Sequence, residues 1–301
     1  MTLIIKFFVV AISLYVVGRL FLLTWQERLL TRPLSFLVKV RLAITGFVAN
    51  VADTVGIGSF AVVVAFDKHW KLVDDKELPG TLNAHSILPA MGQALFFLQA
   101  VQVEVTTLVA LIVGASIGGF FGGFFVSRLD KQKIRRLMFI GYVGIAAMIL
   151  ASKMGWLPVG GDLMALEGTW LLTGVVGMLL AGALPAIGVG AYAPTQVILF
   201  LLGMSPLAAF PIMTASGAIQ QSVAAYAFII RRQVALKASF ILALAGVVGV
   251  LVAAPMVTYI NSESLRWLLL AVVLYNVYML WKSSVRKSSG VVAFSSDKIS
   301  L

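Results

Sequence analysis

The sequence predicts an all-α polytopic membrane protein with two inverted-topology repeats. Each repeat is a re-entrant broken-helix hairpin plus three transmembrane helices, and one N-terminal transmembrane helix precedes them. Three observations lead to this prediction. The 301-residue chain is 60% hydrophobic and only 12% charged, and several apolar runs reach the length that crosses a bilayer. A Gly-x-Gly break interrupts two of these runs in matching positions, and the basic residues gather on one predicted side.

The N-terminal unit, residues 1–33, begins with an apolar run over residues 3–23. This run is too long for the core of a signal peptide, and no small-residue cleavage site follows it. We therefore predict a retained helix with a periplasmic N-terminus. Cysteine is absent from the chain, so disulfides, a thiol nucleophile and cysteine metal sites are excluded.

The first repeat, residues 34–153, is predicted to open with a hairpin over residues 42–66 that leaves the cytoplasm and returns to it. Its glycine break lies at the tip, and residues 127–136 form a cytoplasmic loop. The three predicted spans of this repeat are residues 81–100, 106–126 and 137–152.

The second repeat, residues 154–287, is predicted to enter from the outside with a hairpin over residues 170–202. Its three predicted spans are residues 207–230, 238–258 and 265–281. A cytoplasmic tail, residues 288–301, follows.

Charge is the observation that inverts the second repeat. Nineteen of the 23 lysine and arginine residues fall inside in this assignment, and only Lys6, Lys153 and Arg266 fall outside. A parallel repeat would place one of two basic clusters outside. The net charge of +11 then reflects short loops beside anionic lipid, so the lipid bilayer is a predicted partner and nucleic acid is not.

The repeat also appears in the register of the sequence. The two glycine motifs, Gly56-Ile57-Gly58 and Gly188-Val189-Gly190, are 132 residues apart, and the offset downstream is 131. At that offset Gln102-Val103 matches Gln233-Val234, and Arg135 matches Arg266.

The breaks are the predicted binding elements. A backbone break inside hydrocarbon leaves amide groups without partners, so it persists only where protein or water covers it. Each return arm begins at its break, and its helix N-terminus therefore offers N–H groups and a dipole to an anion near the midplane. The predicted substrate-binding residues are Gly56, Ile57, Gly58, Ser59, Gly188, Val189, Gly190, Ala191, Asn83, Thr195, Gln196, Thr214 and Gln220.

Two ionisable residues at membrane depth are candidates for proton coupling. Asp53 lies three residues before Gly56, where it can carry a proton or cap the amides of the tip. His85 can couple protons or be a satisfied histidine near the interface. Further polar residues near the breaks are Asn50, Thr54, Ser86, Gln93, Ser216 and Gln221.

One glycine-rich helix face has a structural interpretation. Its small-xxx-small patterns predict close helix packing, with a homodimer through this face as the alternative. The glycines are Gly114, Gly118, Gly119, Gly122 and Gly123.

These motifs resemble the TauE/SafE sulfite-exporter family over residues 37–282. The family resembles this chain in its duplicated domain, its glycine-rich motifs at residues 56–60 and 188–192, and the proline at Pro194. It also has segments like Asn83-Ala84-His85-Ser86 and Thr214-Ala215-Ser216 at the start of the next helix. Neither half has the family's triple glycine, and Val62 stands where the first half would carry the proline. The resemblance implies transport of sulfite, sulfoacetate or another organosulfonate.

The expected function is a secondary transporter in the bacterial inner membrane that exports such a small sulfur-containing anion by alternating access. An anion channel of the same fold and a membrane scaffold without transport remain as alternatives. The chain has no metal-spaced histidine pair, nucleophile elbow or phosphate loop, so we expect no enzyme, catalytic residue, metal or cofactor.

Overall fold

The computed structural model describes residues 2–30, 33–100, 103–158, 160–255 and 262–285, which form eleven α-helices and one 3₁₀ turn. Outside this part of the chain lie the tail 288–301, Gln102, and residues 256–258 of the predicted span 238–258. The helices are α1 Thr2–Leu30, α2 Phe36–Thr54, α3 Ser59–Trp70, α4 Leu78–Ala100, α5 Val105–Val126, α6 Lys131–Lys153, α7 Gly168–Ala183, α8 Tyr192–Leu201, α9 Pro206–Ile230, α10 Leu236–Ala253 and α11 Ser262–Val285. The 3₁₀ turn, Leu184–Ile187, continues α7.

The all-helical class is confirmed, since the described residues contain no strand beyond one isolated bridge between Leu163 and Met204. Five segments are long and apolar enough to cross a membrane: Leu3–Glu27, Val105–Val126, Lys131–Lys153, Gly168–Ile187 and Leu236–Ala253. Large apolar side chains on these helices are exposed, as a surface in contact with lipid requires. The protein is therefore embedded in a membrane.

One helix begins earlier than the sequence predicts. α6 starts at Lys131, inside the segment predicted as the loop 127–136. The cause is an N-cap, because the Asp130 carboxylate accepts a hydrogen bond from the Lys133 N–H at 2.9 Å. The loop is thus reduced to a short turn that ends at Asp130.

Both glycine motifs interrupt helices, and the chain reverses direction at each. The Arg41 guanidinium lies 5.7 Å from the centre of the Trp70 ring, so the start of α2 and the end of α3 meet. In the second half a Cβ added to Gly177 would lie 2.8 Å from Cγ2 of Ile198, which brings α7 against α8. The return helices α3 and α8 have 12 and 10 residues. At about 1.5 Å per residue they cover about half of a bilayer core.

The two halves use the same helix contacts. α2 packs on α10, and α7 packs on α5. A Cβ on Gly249 of α10 would lie 2.5 Å from the carbonyl oxygen of Phe47, and one on Gly118 of α5 would lie 2.0 Å from that of Leu179. These contacts join positions that the repeat register pairs.

α4 and α9 form the centre of the bundle and run antiparallel. Near the start of α4, the Thr81 hydroxyl accepts a hydrogen bond at 3.0 Å from the N–H of Ala235, which follows α9. At the opposite ends, Phe97 stacks on Phe210 with ring centres 5.8 Å apart. α6 and α11 also cross with opposite ends together, since the Lys153 ammonium lies 4.2 Å from the centre of the Trp267 ring.

The basic clusters of the two halves lie at one end of the bundle. Arg231 stands over Phe124, near the end of α5, at 5.8 Å. Beside it, Arg135 of α6 and Lys68 of α3 both pair with Asp75 in the connection before α4. Burial raises the pKa of Asp75, but these two cations offset this and hold it below its usual range. The carboxylate therefore stays charged at neutral pH and ties three elements together at this end.

The glycine-rich face of α5 is covered within the chain. Gly114 and Gly118 lie against the backbone of α7, while Gly119 and Gly123 lie against α9. The predicted close packing is therefore confirmed. A homodimer through this face would require two copies to exchange these contacts.

Candidate functional site

The same backbone motif makes the turn at both breaks. At the first, the Gly56 N–H donates to the Asp53 carbonyl at 2.9 Å and the Ile57 N–H donates to the Ala52 carbonyl at 2.8 Å. This is a Schellman motif, which ends a helix with a residue in the left-handed region. Gly56 takes that position with φ of +95°.

The second break repeats these bonds. The Gly188 N–H donates to the Pro185 carbonyl at 3.0 Å, and the Val189 N–H donates to the Leu184 carbonyl at 3.2 Å. Gly188 has φ of +82°. The first glycine of each Gly-x-Gly therefore has a conformational role that side chains with a Cβ rarely fill.

The two breaks meet inside the bundle. A Cβ on Gly56 would lie 3.6 Å from the Tyr192 hydroxyl oxygen, and one on Gly190 would lie 3.7 Å from Cβ of Phe60. Phe60 and Tyr192 are 132 residues apart and so are repeat equivalents. Each break therefore contacts the first turn of the opposite return helix.

A polar cavity of about 60 Å³ lies beside the joined tips, enough for about four water molecules. It reaches the middle of α4 at Gln93 and the middle of α9 between Met213 and Gln221. Its lining residues are Asp53, Gly58, Ser59, Phe60, Ala90, Gln93, Ala115, Met178, Gly182, Gly190, Ala191, Tyr192, Thr195, Met213, Thr214, Ser216, Gly217, Gln220 and Gln221. A smaller, mostly apolar cavity of about 30 Å³ touches Gly56, Ile57, Gly58, Gly190 and Tyr192 from the side of α6 and α11.

The first tip is capped by a carboxylate. Asp53 accepts the Ser59 N–H at 2.7 Å on one oxygen and the Gln93 side-chain amide at 2.9 Å on the other. Gln93 also donates to the Thr54 hydroxyl at 3.2 Å. Of the two roles that the sequence leaves open for Asp53, capping of the tip amides is present in this geometry.

The second tip has no such cap. No side chain accepts from the first N–H groups of α8, and its N-cap residue is Ala191. Two polar side chains of α9 that line the cavity, Ser216 and Gln220, are 2% and 1% exposed. The Ser216 hydroxyl and the Gln220 amide nitrogen have no hydrogen-bond partner among the described residues. Because an unpaired buried polar group is costly, these atoms point to a ligand or water in the cavity.

The structure brings together part of the predicted site. The predicted residues that line the polar cavity are Asp53, Gly58, Ser59, Gly190, Ala191, Thr195, Thr214 and Gln220. Gly56 and Ile57 line the smaller cavity. The predicted residues outside both linings are Gly188, Val189, Asn83, Gln196 and His85.

Asn83 and His85 have structural partners instead. Asn83 donates to the carbonyl oxygens of Pro79 and Pro185, both at 2.8 Å, and so fastens α4 to the 3₁₀ turn. The Nδ1 atom of His85 lies 3.2 Å from the Thr81 carbonyl oxygen, and its ring packs 6.2 Å from that of Phe60.

Two buried polar residues that support the tips were not predicted. The Tyr142 hydroxyl donates to the Gly188 carbonyl at 3.2 Å, and the Asn276 side chain donates to the Ala61 carbonyl at 2.8 Å. Asn276 had a signal in the sequence, since an amide inside an apolar span needs a partner. Tyr142 had none, because tyrosine is common in such helices.

Substitution of the glycines should separate their roles. Gly56→Ala should lower the free energy of unfolding by about 1 kcal/mol, because alanine is strained in the left-handed region. Gly190→Ala should leave stability unchanged, since Gly190 is outside that region and its Cβ would make ordinary contacts. Thermal unfolding in detergent measures both variants. Equal melting temperatures for the two would contradict the assignment.

Comparisons of the chain with protein-family models, with curated proteins and with solved structures found no match.

Proposed function

We propose that the protein is a secondary transporter that exports a small sulfur-containing oxyanion, such as sulfite, sulfoacetate or another organosulfonate, across the bacterial inner membrane. The observation that carries this proposal is the polar cavity where two broken helices meet at mid-depth of the bundle. It combines an uncapped helix N-terminus with the unpaired donors of Ser216 and Gln220.

Inverted repeats are part of the proposal, and helix direction supports them. In repeats related by an axis in the membrane plane, equivalent helices run in opposite directions. The pairs α4 with α9 and α6 with α11 are equivalent in the repeat register, and both are antiparallel. The matching contacts of Gly118 and Gly249 support the same register.

We assign the basic end of the bundle to the cytoplasm. Arg231 and the ion pairs of Asp75 lie at that end, as the positive-inside rule requires of cytoplasmic loops. In this orientation the N-terminus is periplasmic and the C-terminus is cytoplasmic.

Dipoles and hydrogen bonds, rather than a full positive charge, would hold the anion. The lining residues include no lysine or arginine. Such a site binds weakly enough to release its substrate on the other side. An inside-negative potential favours anion export by about 2.3 kcal/mol per charge per 100 mV. Export therefore needs no coupled proton, whereas import would, with Asp53 or His85 as the carrier. The resemblance of the glycine motifs to those of the TauE/SafE family is the reason for naming sulfur oxyanions.

Flux in proteoliposomes tests the function. The purified protein is reconstituted, and flux of sulfite, sulfoacetate and taurine is measured with and without a pH gradient and a membrane potential. We expect saturable flux of at least one sulfur oxyanion that an inside-negative potential drives outward. Flux no faster than in protein-free vesicles would overturn the proposal, and flux that does not saturate would indicate a channel.

A further inference from the structure

We propose that the anion binds at the second tip alone, and that Asp53 makes the cavity selective for singly charged anions. This inference rests on the proposed transport function. It identifies the binding subsite within the cavity and the class of substrate by charge.

The first tip already holds an anion that belongs to the protein. Ser59 is the first residue of α3, and its N–H donates to Asp53 at 2.7 Å. Gln93 holds the second carboxylate oxygen at 2.9 Å. The place that an anion would take at this helix N-terminus is therefore occupied by a side chain.

The second tip differs because the repeat equivalent of Asp53 is Pro185, which has no carboxylate to offer. Gly190, Ala191 and Tyr192 at the start of α8 line the cavity without a capping side chain. This helix N-terminus is open to a ligand.

The unpaired donors are also on this side of the cavity. Ser216 and Gln220 lie one helical turn apart on α9, and both are almost fully buried. Their repeat equivalents on α4 are His85 and Pro89, neither of which lines the polar cavity. The two independent observations, an open helix N-terminus and unpaired donors, thus fall in the same half of the site.

The charge of Asp53 sets the selectivity. Among the described lining residues Asp53 is the only acidic one and none is basic. The groups that face it are the Ser59 amide on α3, Gln93 on α4 and the Tyr192 phenol on α8. His85, the other ionisable group on α4, lies two helical turns from Gln93 and outside the cavity. A dianion at the second tip would meet twice the repulsion from Asp53 that a monoanion meets.

The test compares two anions of fixed charge, methanesulfonate and sulfate, in proteoliposomes. The wild type should transport methanesulfonate at least about tenfold faster than sulfate, and Asp53→Asn should reduce this ratio to about twofold. Asparagine can still accept the Ser59 N–H, and the Gln93 amide can rotate to match it. Asp162→Asn, at an exposed acid outside the cavity, should leave the ratio unchanged.

The wild type provides a second measurement should Asp53→Asn fail to fold. Acidification that protonates Asp53 should lower the methanesulfonate-to-sulfate ratio in the wild-type protein. A ratio that Asp53→Asn leaves at its wild-type value, or that is independent of pH in the wild type, would overturn the inference. Absence of methanesulfonate flux in the wild type would instead overturn the transport function.

Discussion

Gly118→Ala should destabilise the protein by about 3 kcal/mol, although alanine favours a helix more than glycine does. The added Cβ would lie 2.0 Å from the carbonyl oxygen of Leu179 and 3.1 Å from the amide nitrogen of Ala183, both backbone atoms of the segment packed on α5. Backbone cannot rotate away as a flexible side chain can, so α5 and α7 must separate. Thermal unfolding in detergent should show a large fall in melting temperature.

Gly144→Ala is the matched control. Gly144 lies in α6, and a Cβ there would meet nothing within 4 Å. This variant should gain up to about 1 kcal/mol from helix propensity, so the two substitutions should have opposite signs. Gly249→Ala should behave as Gly118→Ala does, since its Cβ would lie 2.5 Å from the Phe47 carbonyl oxygen. Equal stability of Gly118→Ala and Gly144→Ala would show that α5 and α7 do not pack as described.

Gln220→Met should reduce anion flux by about tenfold or more and leave the melting temperature unchanged or raised. The Gln220 amide nitrogen is buried without a partner, so its replacement by an unbranched apolar side chain removes a desolvation cost. In transport the same atom would lose a hydrogen bond to a charged ligand, worth about 1.5–3 kcal/mol. A purely structural residue would not give this combination of lower flux and maintained stability.

Ser239→Ala provides the comparison for Gln220→Met. The Ser239 hydroxyl on α10 is also fully buried and unpaired, but Ser239 does not line the cavity. Its loss should leave both flux and melting temperature close to those of the wild type. Normal flux in Gln220→Met, or a loss of stability there, would remove Gln220 from the proposed site.

The sequence predicts helices and breaks well because these depend on local chemistry. Apolar runs of sufficient length marked the spans, and Gly56 and Gly188 marked the two turns because a helix ending in the left-handed region needs glycine. The start of α6 was placed too late because the predicted loop was defined by its basic residues, although Asp130 is an N-cap inside it.

The candidate site was predicted less completely. Proximity to a break in the sequence correctly indicated Asp53, Ser59 and Thr195. It also indicated Gln196, which does not line the cavity, because one step along a helix turns a side chain by about 100°. Asn83 was selected as a polar residue at depth, yet both its amide hydrogens are used to hold α4 to the 3₁₀ turn.

The sequence by itself determined that this is a helical membrane protein with two glycine breaks in matching positions. Only the tertiary structure decided that the tips are unequal. The carboxylate of Asp53 is held by Gln93, 40 residues away, whereas Ser216 and Gln220 are left without partners beside an open helix end. Hydrogen bonds between distant residues depend on how the helices pack, and neither composition nor spacing along the chain contains that information.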